Sequence, residues 1–252
     1  MAKQKLKICL LSSELAPLAK TGGLADVSSA LATYLHEDGH DVRVLIPRYS
    51  RIDESKLVIE PVAALSDLDV TLGQRRVRYA IDRTTIPGTR TSVYLLRCPE
   101  FFARDAIYTN DDDEFLRYVL LSIAGMQMCQ RMGFAPHIMS CHDWQTGLVP
   151  LYLRSTFAWD KLFANTRSVM TIHNIGYQGW FPSWVLDQLG LKGAEHHLHQ
   201  DDLKDGVINF LKTGIMYADL VSTVSPTYAR EIQGDDYGMG LNHLLSQRGG
   251  SV

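Results

Sequence analysis

The sequence has few cysteines, no excess of one charge and no long apolar run, and each absence excludes a class of protein. No apolar stretch reaches the roughly 20 residues that a membrane span requires. The formal net charge of -3 gives no electrostatic footprint for nucleic acid. The cysteines form no CxxC pair, which disfavours zinc-ribbon folds and disulfide scaffolds; they are Cys9, Cys98, Cys129 and Cys141. We therefore expect a cytoplasmic protein with reduced thiols that binds neither nucleic acid nor a membrane.

The N-terminal segment has a basic start followed by a short apolar run, Ile8–Leu11. This run is too short for the apolar region of a signal peptide, and no small-residue cleavage site follows it. A transit peptide is not evident either, which disfavours a plastid location. The run instead predicts a first buried strand.

Short apolar runs alternate with helical patterns along the chain. The predicted strands are Leu6–Ser12, Asp41–Ile46, Arg76–Ile81, Ser92–Leu96, His137–Cys141, Ser168–Ile172 and Leu220–Val224. The predicted helices begin near Leu24 and at Asp113, Gly147, Val207 and Pro226. This alternation predicts an α/β fold, a Rossmann-like and mostly parallel sheet with helices on both faces. We expect a hairpin insertion between Ile52 and Leu96, and one domain over residues 1–252.

The loop after the first strand ends in Lys20-Thr21-Gly22-Gly23, directly before a predicted helix. Glycines let a backbone approach a ligand closely. A helix N-terminus offers free N–H groups and a partial positive charge to an anion. Lys20, Gly22 and Gly23 are therefore candidates for binding a diphosphate, although a tight strand–helix turn with an exposed lysine is an equal alternative.

Two further loops carry polar pairs directly after predicted strands, His142-Asp143 and His173-Asn174. Asp143 could accept hydrogen bonds from a sugar hydroxyl or cap the following helix. His173 could donate to a sugar hydroxyl or serve a purely structural role. Because the carboxyl ends of parallel strands meet along one edge of a sheet, we expect these loops to gather around one crevice.

Two other clusters have competing interpretations. The segment His196-His197-Leu198-His199 could hold a metal, but no second ligand cluster completes a site, so we predict none. Trp180, Phe181 and Trp184 could stack on a glycan or pack within the fold.

Several motifs together resemble one family, the bacterial glycogen synthases and plant starch synthases. The motifs are KTGGLADV (Lys20–Val27), HDWQTGLVP (His142–Pro150), TIHNIGYQG (Thr171–Gly179), NFLKTGI (Asn209–Ile215) and VSTVSPTYAREI (Val221–Ile232). They occur in the family's order, and the resemblance extends from about Lys7 to Gln247.

The resemblance implies the N-terminal half of a GT-B glycosyltransferase. It implies transfer of glucose from ADP-glucose to the non-reducing end of an α-1,4-glucan, with retention of configuration, no metal and no cofactor. Lys20, Gly22 and Gly23 would lie at the diphosphate, and Asp143 and His173 would contact the transferring glucose. Matching positions place Asn174, Asn209 and Lys212 in the same cleft, and Phe101, Phe102 and Tyr108 on the acceptor side.

The chain departs from the family pattern in two respects. Ala106 replaces a usual glycine in the acceptor-side loop, and Asp113-Glu114 replaces a usual Asp-Asn pair. The family's C-terminal nucleotide-binding domain is also absent, so we expect this chain by itself to be inactive. The alternatives are a related GT-B transferase with another nucleotide sugar, such as UDP-glucose, and a non-catalytic glycan-binding module.

Overall fold

A nine-stranded sheet forms the centre of the protein. The computed structural model describes residues 4–191, 193 and 195–248. The strands of the large sheet are β1 (Lys7–Leu11), β2 (Asp41–Pro47), β3 (Glu60–Pro61), β4 (Leu68–Leu72), β5 (Arg75–Thr85), β6 (Ser92–Arg97), β7 (Ile138–His142), β8 (Arg167–Ile172) and β11 (Leu220–Thr223). A separate antiparallel pair consists of β9 (Trp180–Pro182) and β10 (Val207–Asn209). All seven predicted strands are present, with ends that shift by a few residues.

Six strands form a parallel core in the order β11-β8-β7-β1-β2-β6. The chain runs outward in one direction from β1 through β2 to β6, and in the other direction from β7 through β8 to β11. This is the doubly wound order, and it reverses between β1 and β7. Right-handed crossovers that run in opposite directions lie on opposite faces of the sheet.

The predicted hairpin insertion is confirmed at the β6 side of the sheet. Strand β4 pairs antiparallel with β5 through a two-residue turn, Gly73-Gln74. Strand β5 also pairs antiparallel with β6 and with the short β3. The insertion therefore extends the sheet beyond β6, on the side opposite to β11.

The five predicted helices are present with one correction, and the described residues contain three further short α-helices that were not predicted. They are α1 (Gly23–Glu37), α2 (Pro99–Phe102), α3 (Glu114–Arg131), α4 (Val149–Arg154), α5 (Gln200–Lys204), α6 (Phe210–Tyr217), α7 (Pro226–Glu231) and α8 (Asn242–Gln247). The predicted helix from Val207 is wrong at its start, because Val207–Asn209 pairs with Trp180–Pro182 as a strand. The helix begins only at Phe210.

Helix α3 is buried on almost all sides, from Glu114 to Cys129 apart from Gln127. It packs against β1, β2 and the hairpin strand β4, so the parallel core and the insertion share one apolar cluster. All four cysteines lie in buried positions as free thiols. Among the described residues, no helix has the length and apolarity needed to cross a membrane.

Candidate active site

A cavity of about 720 Å³ opens at the carboxyl ends of the parallel strands. Its walls include Glu14 after β1, Asp143 after β7, His173 after β8 and Val224 after β11. The strand order reverses between β1 and β7, which is where open α/β sheets form a ligand crevice. The predicted convergence of these loops is therefore observed.

Glu14 holds the glycine-containing loop in place. Its carboxylate is buried and accepts hydrogen bonds from the backbone N–H and the hydroxyl of Thr21, and from the backbone N–H of Gly22. The hydroxyl of Tyr108 donates to the same carboxylate over 2.6 Å. One side chain thus connects the loop before α1 with the segment before α3.

Gly22 and Gly23 line the cavity and begin helix α1. Gly22 has an extended backbone with φ of -151°, which any residue can adopt. A Cβ atom at either glycine would meet no atom within 4 Å. The packing of the chain therefore does not require glycine here, and the space beside these positions is open to a ligand.

Lys20 does not line the cavity in this structure. Its ammonium donates to the carboxylate of Asp26 over 2.7 Å, and both side chains are about half exposed. Contact with a diphosphate would require the Lys20 side chain to leave this surface pair, which contributes little because exposed ion pairs are weak.

Asp143 occupies a backbone conformation that L-residues rarely adopt, with φ of 56°. Its Oδ1 atom accepts hydrogen bonds from the backbone N–H groups of His173 at 2.7 Å and Asn174 at 3.3 Å. Burial raises the pKa of its carboxyl to about 7, against these two hydrogen bonds, which lower it. The side chain does not cap the following turn; it joins the loops after β7 and β8.

His173 is hydrogen-bonded to a second histidine that lies behind it. Its Nε2 atom lies 2.9 Å from Nδ1 of His142, whose Nε2 atom lies 3.0 Å from the hydroxyl of Ser140. Burial lowers the pKa of His142 to about 3 and that of His173 to about 4. Both imidazoles are therefore neutral near pH 7.

The acceptor-side prediction divides into two parts. Tyr108 lines the cavity, whereas Phe101 and Phe102 are fully buried. Phe102 packs edge-on against Tyr49 with ring centroids 5.7 Å apart, and it also lies beneath the buried guanidinium of Arg117. The two phenylalanines belong to the core and cannot touch a glycan without unfolding of α2.

Asn209 and Lys212 also lie away from the cavity lining. The Oδ1 atom of Asn209 caps α6 by accepting from the backbone N–H of Lys212, and its Nδ2 atom donates to Gln178. The ammonium of Lys212 donates to Asp202 over 2.7 Å. The structure thus gives both side chains partners within the fold.

The two remaining clusters have partners of their own. In the part of the chain that the structure describes, no group of His, Cys, Asp or Glu side chains could hold a metal. His199 faces Asp202, and the rings of His196 and His197 stack on each other. Phe181 packs into the fold, whereas Trp180 and Trp184 are exposed.

Sequence reasoning missed the roles of Glu14 and Glu114 in this cavity. Glu114 accepts hydrogen bonds from the hydroxyl of Thr109 and from the buried guanidinium of Arg117. Glu14 and Glu114 lie 100 positions apart, so no local pattern brings them together. For Glu14 the only sequence signal was an acidic residue among apolar and small residues, whereas Glu114 ends the acidic run Asp111–Glu114.

A doubly wound sheet with a cavity at its switch point is the arrangement of α/β domains that bind a ligand at the carboxyl ends of their strands. The chain matches the family model described as the starch synthase catalytic domain over residues 7–247. The chain belongs to that family, which confirms the resemblance and the predicted fold class.

Curated relatives and a solved structure agree with this family. The chain is 40% identical to the glycogen synthase of Desulforudis audaxviator, over 98% of this chain and 50% of that protein. It is 37% identical to glycogen synthase 1 of Geobacter sulfurreducens, over 97% of this chain and 49% of that protein. The catalytic domain of starch synthase IV from Arabidopsis thaliana, determined with ADP and acarbose bound, superposes with a TM-score of 0.88 at 28% identity, over 98% of this chain and 50% of that one. The chain spans about half the length of the curated relatives that it matches.

Proposed function

We propose that the protein contributes the acceptor-side half of a glucosyltransferase, which transfers glucose from ADP-glucose to the non-reducing end of an α-1,4-glucan with retention. The observation that carries this proposal is the cavity at the switch point, because its walls are built from the motifs of the starch synthase family. The ADP and acarbose named for the Arabidopsis structure support a nucleotide sugar and a glucan as substrates.

In this proposal, the loop before α1 stabilises the departing diphosphate. The first N–H groups of a helix have no partner within the helix, so those at the start of α1 can donate to phosphate oxygens. Lys20 would add a full positive charge after leaving Asp26. Preorganised donors at developing charge are often the largest contribution to catalysis.

Asp143 and His173 would orient the transferring glucose on the opposite wall of the cavity. Asn174, whose side chain is exposed beside His173, would contribute a further polar contact. The reaction would take place on one face of the sugar within a closed and dry cleft, without a metal or another cofactor.

Closure of such a cleft requires a second surface. Three exposed apolar side chains line the cavity: Val27, Tyr177 and Val224. We propose that a C-terminal nucleotide-binding domain covers this side and completes the donor site, as expected for a protein whose relatives are about twice as long. A cytoplasmic location remains part of this proposal.

The test is glucosyl transfer from radiolabelled ADP-glucose or UDP-glucose to glycogen, measured on the intact protein that contains this chain. We expect ADP-glucose to be the better donor. His173→Ala and Lys20→Ala should each lower kcat by at least about tenfold. Gly22→Val, whose Cβ atom would meet no atom within 4 Å, should keep the melting temperature while raising KM for the donor.

Each alternative predicts a different result. Preference for another nucleotide sugar would indicate a related transferase. Retardation of the protein in a glycogen gel, with no transfer from any donor, would indicate a glycan-binding module. Normal turnover in Lys20→Ala would overturn the phosphate role of that residue.

A further inference from the structure

His142 is a fully buried histidine whose two ring nitrogens both have partners. It ends β7, and its side chain is completely shielded from solvent. Nε2 meets the hydroxyl of Ser140 at 3.0 Å, and Nδ1 meets Nε2 of His173 at 2.9 Å. Burial of a polar ring costs free energy even when the ring is hydrogen-bonded, and an apolar side chain would avoid this cost. An imidazole at this position therefore indicates a function for the ring.

The number of protons limits how these three groups can be arranged. A neutral imidazole carries one N–H donor and one acceptor nitrogen. In the first arrangement, Ser140 donates to Nε2 of His142, and Nδ1 of His142 donates to Nε2 of His173. The proton of His173 then lies on Nδ1. In the second arrangement, Nε2 of His173 donates to Nδ1 of His142, and Nε2 of His142 donates to the hydroxyl of Ser140. Nδ1 of His173 then carries a lone pair.

Only the first arrangement gives both fully shielded protons, those of Ser140 and His142, an acceptor. The Ser140 hydroxyl is buried, and among the described residues its hydrogen bond is to His142. If His142 donated to this hydroxyl, the hydroxyl proton would have no acceptor, which is unfavourable for a buried group. The first arrangement also leaves an N–H group at Nδ1 of His173, which makes no hydrogen bond within the described residues.

The chemistry of the cavity also favours an N–H donor at His173. Two carboxyl groups lie beside His173: that of Asp143, which accepts from the backbone N–H of His173, and that of Glu14, which lines the same cavity. Carboxylates accept hydrogen bonds from sugar hydroxyls but cannot donate to sugar oxygens. A sugar hydroxyl both donates and accepts hydrogen bonds. It could donate to one of these carboxylates and accept from the N–H group of His173.

We propose that His142, supported by Ser140, is a positioning residue that fixes the ring of His173 and keeps its proton on Nδ1, where it can donate to the sugar. This inference rests on the proposed function, because it assumes that His173 contacts the transferring glucose. His142 does not touch the substrate. It acts as the buried partner that determines which nitrogen of His173 carries the proton, as in other sites where a second residue orients a functional histidine.

Two amide substitutions separate the two hydrogen bonds of His142. The amide of asparagine lies near the position of Nδ1, and the amide of glutamine reaches the position of Nε2. His142→Asn therefore keeps a partner for His173 and loses the contact with Ser140. His142→Gln keeps the contact with Ser140 and loses the partner of His173.

The expected result is a separation of kcat between these variants of the intact protein. His142→Gln should lower kcat by on the order of 10- to 100-fold and leave KM for ADP-glucose within about twofold. His142→Asn should keep kcat within about threefold of the wild type. Equal loss in both variants, or wild-type turnover in His142→Gln, would overturn the proposal.

A spectroscopic measurement on the 252-residue chain tests the proton position without any turnover. Nitrogen-15 labelling of the histidines distinguishes the two neutral tautomers by NMR, and His173→Ala assigns the signal. We expect His173 to carry its proton on Nδ1 in the wild type and in His142→Asn, and on Nε2 in His142→Gln. A proton on Nε2 in the wild type would contradict the positioning role.

The variant His173→Ala separates this proposal from the proposed function. If the wild type transfers no glucose from any donor, the proposed function fails. If His173→Ala keeps full transfer activity, the transfer reaction stands, but His173 has no role in it and the positioning role fails. If His173→Ala is inactive while His142→Gln is fully active, the proposed function stands and only the positioning role fails.

Discussion

At the scale of single residues, Asp143 combines a strained backbone with a buried acidic side chain. A non-glycine residue in this region of φ costs on the order of 1–3 kcal/mol and persists only where the surroundings enforce it. Here the conformation is enforced by two hydrogen bonds, which the carboxylate of Asp143 accepts from backbone N–H groups. Such strain often occurs at functional sites, in line with the role proposed above.

Two substitutions at Asp143 should have different effects on stability. Asparagine has the shape of aspartate and keeps an oxygen acceptor, so Asp143→Asn should change the free energy of unfolding by less than about 1 kcal/mol. Asp143→Ala keeps the strain and leaves two N–H groups without an acceptor, so it should cost on the order of 2–3 kcal/mol. Urea unfolding of both variants checks this, and equal stabilities would contradict the proposed enforcement.

His142 should make stability depend on pH. Its pKa is lowered from 6.5 to about 3 by burial, so the unfolded state binds a proton that the folded state excludes between these values. Its contribution to stability is complete above about pH 6.5 and is lost as pH falls, on the order of 3 kcal/mol by about pH 4.

The measurement is unfolding of the wild type and His142→Asn between pH 4.5 and 7.5. The wild type should lose stability more steeply toward acid than the variant. Asp143 acts in the opposite direction, because its raised pKa favours the folded state at low pH, and this contribution cancels in the difference. Parallel pH profiles would show that His142 is not buried in its neutral form.

At the scale of elements, the turn after β7 and helix α6 approach each other without room for a side chain. A Cβ atom on Gly147 would lie 2.2 Å from the carbonyl oxygen of Phe210, and one on Gly214 would lie 3.0 Å from Cα of Gly147. This contact positions the loop that carries Asp143 against the helix capped by Asn209.

Gly147→Ala should therefore destabilise the protein by on the order of 1–3 kcal/mol, the usual cost of overpacking. Gly22→Ala is the matched control, since a Cβ atom there meets nothing within 4 Å, and it should leave the melting temperature nearly unchanged. Thermal unfolding followed by circular dichroism compares the two. An equal melting temperature for both would show that the turn can move away from α6.

The sequence predicted the elements whose residues specify them locally. Apolar runs such as Ser168–Ile172 correspond to strands, and α7 begins at Pro226 as predicted, with Ser225 as its cap. Val207–Asn209 did not follow its local pattern because it pairs with Trp180–Pro182, a tertiary contact that outweighs helix propensity. Tyr108 was predicted as a site residue, but its contact with Glu14 was missed, because the two residues lie far apart in the sequence.

At the scale of the whole molecule, the cavity has one wall of apolar and aromatic side chains that this chain leaves exposed. Tyr177 is 69% exposed and Val224 is 47% exposed. Water reaches a site in this state, and an exposed cation-like glucosyl group would be hydrolysed or would not form.

We therefore expect the 252-residue chain alone to transfer glucose at less than about 1% of the rate of the intact protein. A coupled assay for ADP release from ADP-glucose in the presence of glycogen measures this. The control is the circular dichroism spectrum of the isolated chain, which should show folded α/β structure. Full activity of the chain alone would contradict the need for a covering domain.

The position of the strand reversal also determines the order in which the chain can fold. One neighbour of β1 is β2, which follows it closely in sequence, and Ile8 pairs there with Val42. The other neighbour is β7, where the same Ile8 pairs with the distant Ile138. The backbone N–H of Lys7 likewise donates to His137, 130 positions later. Contacts so distant in sequence form slowly and cannot form during synthesis until that part has left the ribosome. We therefore expect the edge of β1 that faces β7 to stay unpaired until late in folding. The cavity at this position should then be among the last parts of the molecule to form.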